Sequence, residues 1–184
     1  AFRKTKGEVI GTAGAAPGPA TQLGIIAFQG SDGNSWEIGG QIEAKSDGAW
    51  SDSVAPTKLT FKTCADGLAL TPRMTIKNDG KIGIGTTAPG VDLTVSDSTT
   101  SSSSTGGAIR LQSNDSAAAL GAGHRLGVIE FAGEENADDA MVVGARIEAI
   151  NSRGSAWDAS NNHTDLCFYT TTGNASQSEQ MRIS

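Results

Sequence analysis

Two glutamates occupy the same short motif: Glu43 in Ile42-Glu43-Ala44 and Glu148 in Ile147-Glu148-Ala149. A pair of carboxyl groups about 5 to 10 Å apart across a groove could cleave a glycosidic bond, one as acid and the other as nucleophile or base. Such a pair normally joins two different local sequences in one site. Here one residue recurs in one local sequence, and Arg3 and Arg110 recur in the same way, in Ala1-Phe2-Arg3 and Ala108-Ile109-Arg110. The pattern therefore predicts two outward-pointing structural glutamates, each with an arginine of its own half as candidate partner, and no catalysis. His124 and His163 are the only histidines and match nothing in the other half, and no serine or cysteine stands in a nucleophile motif.

Ligand chemistry is equally sparse. Gly83-Ile84-Gly85 lacks the third glycine and following helix of a dinucleotide site. The run Glu134-Glu135-Asn136-Ala137-Asp138-Asp139 offers oxygen atoms of the kind calcium takes, but the corresponding Ser31-Asp32-Gly33-Asn34-Ser35-Trp36 holds one acid, so a solvated acidic loop is expected. Cys64 and Cys167 lack metal-ligand spacing and read as two unpaired structural thiols. The expectation is no cofactor, no metal site and no enzyme. Of the tryptophans, Trp50 and Trp157 each follow an alanine in matching places and read as core or interface anchors. Trp36 has no counterpart, and is the residue expected to meet a glycan if any does. Asn-x-Ser/Thr triplets at Asn114, Asn162 and Asn174 are near chance in a chain this rich in Ser and Thr.

The chain that must position these residues has little apolar material. Fewer than one in five of its 184 residues is Leu, Ile, Val or Phe, beneath the roughly 20% below which a highly charged chain would be disordered. Its net charge is only -6 and its apolar residues are periodic, so it reads as folded with a poor private core that neighbouring chains complete. An acidic balance, with pI near 4.8, argues against nucleic acid or an anionic membrane as partner. No apolar run suits a membrane span, and the basic start AFRKTKGEVIG is not followed by the apolar stretch of a signal peptide.

Self-similarity is the strongest signal. Leu23-Gly24-Ile25-Ile26-Ala27-Phe28-Gln29-Gly30 returns as Leu126-Gly127-Val128-Ile129-Glu130-Phe131-Ala132-Gly133; Leu59 and Phe61 return as Leu166 and Phe168; Met74 and Ile76 return as Met181 and Ile183. Order is kept throughout, which predicts two copies of a module of about a hundred residues. The expected organisation is a first module at 1–95, a Ser/Thr/Gly-rich linker at 96–107 and a second module at 108–184. By the first copy's pattern a DGKIGIGT-like strand would follow Ser184 at once, so the chain reads as a piece of a longer polypeptide. Each matched block alternates as a half-buried strand does, and Asp-Gly pairs at 32–33, 47–48, 66–67 and 79–80 supply turns. Helical periodicity is absent; the one helix-friendly stretch, Ala117-Ala118-Ala119-Leu120, is boxed in by Ser and Gly. The fold class expected is all-β.

One strand raises a question of its own. In Asp79-Gly80-Lys81-Ile82-Gly83-Ile84-Gly85-Thr86 two glycines weaken a strand by about 0.5 to 1 kcal/mol each relative to alanine. Glycine in a strand often marks close approach of another backbone. Identical strands from three chains around an axis would let Ile82 and Ile84 form apolar layers while Gly83 and Gly85 admit the neighbouring backbones. These four residues are the expected trimer interface.

Arg73-Met74-Thr75-Ile76, then Asp79-Gly80-Lys81-Ile82-Gly83-Ile84-Gly85-Thr86-Thr87-Ala88-Pro89 and Leu93-Thr94-Val95, resembles the repeated signature of bacteriophage tail fibres and related virion appendages. Glu179-Gln180-Met181-Arg182-Ile183-Ser184 resembles the start of the same signature. The resemblance implies an elongated homotrimeric fibre of repeated β-modules joined by intertwined β segments, located in a virion appendage and extracellular when assembled. It implies a shaft that projects a host-attachment part, with copies of itself and neighbouring fibre or baseplate proteins as partners. A receptor- or glycan-binding module acting through variable loops such as 31–37 and 134–141, a polysaccharide depolymerase fragment, and a bacterial extracellular surface fibre are the alternatives, with a host surface glycan or protein as the further partner.

Overall fold

A computed structural model describes residues 2–3, 18–65, 67, 69–100, 102–114, 120–135, 140–152, 162–173 and 176–184. The stretch 117–119, Trp157, Asn174, residues 136–139 of the acidic run, and the side chain of Arg3 lie outside the described residues. All regular elements among the described residues are β-strands, and the chain divides into two compact units, Ala1–Ile109 and Arg110–Ser184.

The first unit carries a seven-stranded sheet in chain order. Its strands are β1 (Phe2–Arg3), β2 (Gln22–Ser31), β3 (Trp36–Ser46), β4 (Thr57–Cys64), β5 (Leu70–Ile76), β6 (Ile82–Ile84) and β7 (Leu93–Val95). Neighbours pair antiparallel down to β6, and short turns join β2 to β3, β4 to β5 and β5 to β6. At the β2–β3 turn, for example, the Asp32 carboxylate accepts the backbone N–H groups of Asn34 and Ser35 at 2.7 and 2.6 Å. The last pair, β6 and β7, is parallel, so residues 85–92 must carry the chain back across a sheet face before β7 can start.

That crossing answers the question set by the glycines. A side chain at Gly83 would run into the carbonyl of Thr86, and one at Gly85 would run into the carbonyl of Ser96. Gly85 also has a φ of 73°, in the left-handed region where side chains are strained. The backbone that comes close is the chain's own. Both glycines thus have a reason inside one chain, different from the approach of neighbouring chains expected of them.

After β7 the Ser/Thr-rich stretch folds back as a hydrogen-bonded turn. Asp97 accepts from the N–H and hydroxyl of Thr99 and from the N–H of Gly106, and Ser102 bridges Thr105. Gly107 lies against the carbonyl of Val95, and the described residues of 96–107 are exposed.

The second unit carries β8 (Arg125–Glu135), β9 (Ala140–Asn151), β10 (Thr164–Thr170) and β11 (Ser178–Ile183), in the sheet order β11-β10-β9-β8. Its register parallels that of β2 to β5. Ile26 pairs with Ile42, Ile42 with Phe61 and Phe61 with Met74; correspondingly Ile129 pairs with Ile147, Ile147 with Phe168 and Phe168 with Met181. Even the bulges agree, at Phe28/Gln29 and Phe131/Ala132 and at Phe61/Lys62 and Phe168/Tyr169.

Candidate self-association surface

Register places the apolar residues of the first sheet in two adjacent rows on one face. One runs Ile26, Ile42, Phe61, Met74, Ile84, Val95; the other runs Ala44, Leu59, Ile76, Ile82, Leu93. Between them lie the residues of the opposite face, in the row Glu43, Thr60, Thr75, Gly83, Thr94, since strand side chains alternate.

Burial is reversed from the usual pattern. Glu43, Thr60 and Thr75 are 3%, 5% and 0% exposed, whereas Phe28, Ile84 and Leu93 are 57%, 44% and 52% exposed. The second sheet repeats the inversion: Glu148 and Asp165 are buried while Ile129, Phe131, Met181 and Ile183 are exposed. Among the described residues the buried apolar ones are Leu120, Ile150 and Cys167. An exposed apolar face of this kind is a candidate interaction surface.

Ionic networks close the polar faces. Lys45 and Lys62 reach Glu43 at 3.3 and 2.5 Å, and Lys58 and Lys77 hold the buried Asp47 at 3.0 and 2.8 Å. In the second unit Arg125 and Arg146 reach Glu148 at 2.8 and 3.0 Å, and the Arg146 guanidinium stacks 3.9 Å over the Tyr169 ring. Arg182 bridges Asp165 at 2.7 Å and Glu179 at 2.5 Å. Burial pushes the Glu148 carboxyl up, but hydrogen bonds from Arg146 and Tyr169 and the charge of Arg125 outweigh it and hold it below the usual carboxylate range. The same burial, with Glu148 as neighbour, pushes the Tyr169 phenol up to about 12, so it stays a neutral donor. Hydrogen bonds from Arg182 likewise hold Asp165 and Glu179 low.

Both glutamates depart from the outward position expected of them. They are enclosed, and among the described residues cross-strand or same-strand cations are their partners: Lys45 and Lys62 for Glu43, and Arg125 and Arg146, not Arg110, for Glu148. Sequence reading missed Lys62, Arg146 and Tyr169, although Arg146 sits two residues from Glu148 on one strand and so shares its face.

Of the expected interface residues, Ile84 is exposed and Ile82 half-buried on the apolar face; Gly83 is buried on the polar face beneath Thr86. Trp36 is 71% exposed beside the β2–β3 turn. Trp50 is half-buried and donates its indole N–H to the Pro56 carbonyl at 3.1 Å. Cys64 and Cys167 are unpaired. Among the described residues no group of acidic, histidine or cysteine side chains could hold a metal ion, and no helix is long and apolar enough to cross a membrane.

No family model matches the chain, and no curated protein does. Among the solved structures similar to it are two tail-fibre domains. One is the carboxy-terminal domain of the bacteriophage T5 L-shaped tail fibre with its intra-molecular chaperone domain, at TM-score 0.38 and 11% identity over 94% of this chain and 55% of that one. The other is the carboxy-terminal domain of the bacteriophage T5 L-shaped tail fibre, at TM-score 0.36 and 11% identity over 98% of this chain and 86% of that one. The chain thus spans little more than half the length of the first.

Proposed function

We propose that the chain is a structural shaft segment of a trimeric phage tail fibre or phage-like appendage, which projects a host-attachment part from its particle. The observation that carries this reading is the pair of apolar rows left open on a sheet whose polar face is already closed by salt bridges. Enclosing a large aliphatic side chain is worth about 1.5 to 3 kcal/mol, so covering Ile26, Leu59, Ile84 and Leu93 together favours association strongly. Copies of the same chain bring the same rows to one axis, and the resemblance of the signature from Arg73 to Val95 to tail-fibre repeats implies three as their number. The task is mechanical: modules stack along the axis, and a net charge of -6 on the outside discourages fibres from clumping.

Sedimentation of Ile84→Asp and of Ile82→Asp tests this. Each substitution sets a charge in the apolar layers and disperses the trimer, whereas neutralising the acids of 134–139 leaves it intact. The reverse result contradicts the proposal.

A second reading, glycan binding, is favoured by one observation. The exposed Trp36 adjoins Glu37, which with Ser31, Asp32 and Cys64 lines a shallow groove of about 350 Å³. Aromatic rings and carboxylates suit sugar faces and hydroxyls. Glycan-array binding that disappears in Trp36→Ala would favour this reading over a pure shaft.

A further inference from the structure

One arginine of the first unit stands apart from the ion pairs that close the polar faces. The described lysines, with Arg125, Arg146 and Arg182, each hold a carboxylate. Arg73 holds none among the described residues. Its Nε donates to the Thr63 hydroxyl at 2.9 Å, which orients the guanidinium, and the rest of its fork of donors meets no acceptor among the described residues. That open fork lines a cleft of about 480 Å³, within the range of roughly 300 to 1,000 Å³ usual for small-molecule sites. Three segments wall it: the start of β5 from Thr71 to Arg73, residues 85–87 of the crossing, and residues 96–98 after β7. The Gly85 N–H donates to the Arg73 carbonyl at 2.9 Å and the Ser96 N–H to the Ile84 carbonyl at 2.8 Å, so the sheet itself sets the walls.

We propose that this cleft binds an acidic sugar, its carboxylate on the Arg73 fork and its hydroxyls on the side chains of Thr71, Thr86, Ser96 and Asp97. A planar guanidinium matches the edge of a carboxylate with two parallel hydrogen bonds. The lining is otherwise made of hydroxyls, backbone and one carboxylate, with Pro72 as its apolar ring, so a hydroxyl-rich ligand fits it and an apolar side chain of a peptide does not. Asp97 narrows the charge of the ligand. Its carboxylate already accepts from Thr99 and Gly106, and those hydrogen bonds hold it below the usual carboxylate range, ionised at neutral pH. A fixed negative charge in the same cleft opposes a dianion such as sulfate. It suits a ligand with one anionic group for Arg73 and hydroxyls that can donate to Asp97. The site lies on other segments than the groove beside Trp36, and it does not rest on the shaft reading.

The test is a titration of the full chain with glucuronate, followed by backbone amide NMR, beside glucose, acetate and sulfate as separate probes. The expected result with glucuronate is saturable shifts centred on residues 71–73, 85–87 and 96–98. Glucose, which lacks the carboxylate, and acetate, which lacks the hydroxyls, bind about tenfold or more weakly. Arg73→Gln lowers glucuronate affinity by about tenfold or more; Arg73→Lys, which keeps the charge and loses the fork, lowers it less. Lys81→Gln removes a positive charge outside the cleft and leaves affinity unchanged. Amide spectra without ligand, unaltered away from the cleft, show that the variants keep the fold. Absence of saturable shifts at these residues overturns the proposal, as does affinity that survives Arg73→Gln or falls equally in Lys81→Gln. Sulfate bound as tightly as glucuronate also overturns it, since that marks a bare anion site. Sedimentation of the same samples reads self-association separately, so the two proposals fail independently.

Discussion

Gly85 shows how one residue can be required without any ligand or partner. Its φ of 73° and the adjacent Ser96 carbonyl leave no room for a side chain, whereas Gly30, also in or near a strand end, has open space where a Cβ would stand. Gly85→Ala is therefore expected to destabilise the first unit by at least about 1 to 2 kcal/mol, the cost of a left-handed non-glycine residue plus the collision. Gly30→Ala is expected to be neutral or slightly stabilising. Urea midpoints measured for the two variants decide the matter, and equal effects would show that neither the left-handed φ nor the Ser96 carbonyl sets the glycine. The hydroxyls of Thr75 and Thr94, which flank Gly83 in the register, are buried with no hydrogen-bond partner among the described residues. That is a local cost of fitting the crossing over this row.

At the scale of strands and sheets, much was legible because alternation at period two is written directly into the residues. The matched blocks around Ile26 and Ile129 lie on strands in the same register, as do those around Phe61 and Phe168. Bulges were not legible, since a bulge is one extra residue that only the partner strand reveals. The depth of Glu43 and Glu148 was missed for a related reason. A charged residue between apolar neighbours reads as outward, and only pairing with β4 brings Lys62 to Glu43. In the second sheet the ionic groups give a pH prediction. Glu148, Asp165 and Glu179 are all held below ordinary carboxylate values. The stability they contribute is complete above the unfolded carboxylate range, about pH 4 to 4.5, and is lost as pH falls through their lower folded values. Thermal melts should stay level from neutral pH down to about 5 and drop below about 4, with a shallower drop in Glu148→Gln. A decline already under way above about pH 6 would assign control to other groups.

For the whole molecule, the decisive fact is that burial in each sheet is assigned to the wrong face for a chain that lives alone. Salt bridges enclose the polar side, while Phe28, Ile84, Phe131 and Ile183 face solvent. On the proposed reading, a chain with this little apolar material gains more from meeting copies of itself than from folding those rows inward. Native mass spectrometry of the unmodified chain at high dilution tests that claim most directly. The account predicts a species of three times 18.7 kDa; a compact, well-folded single chain of 18.7 kDa would contradict it.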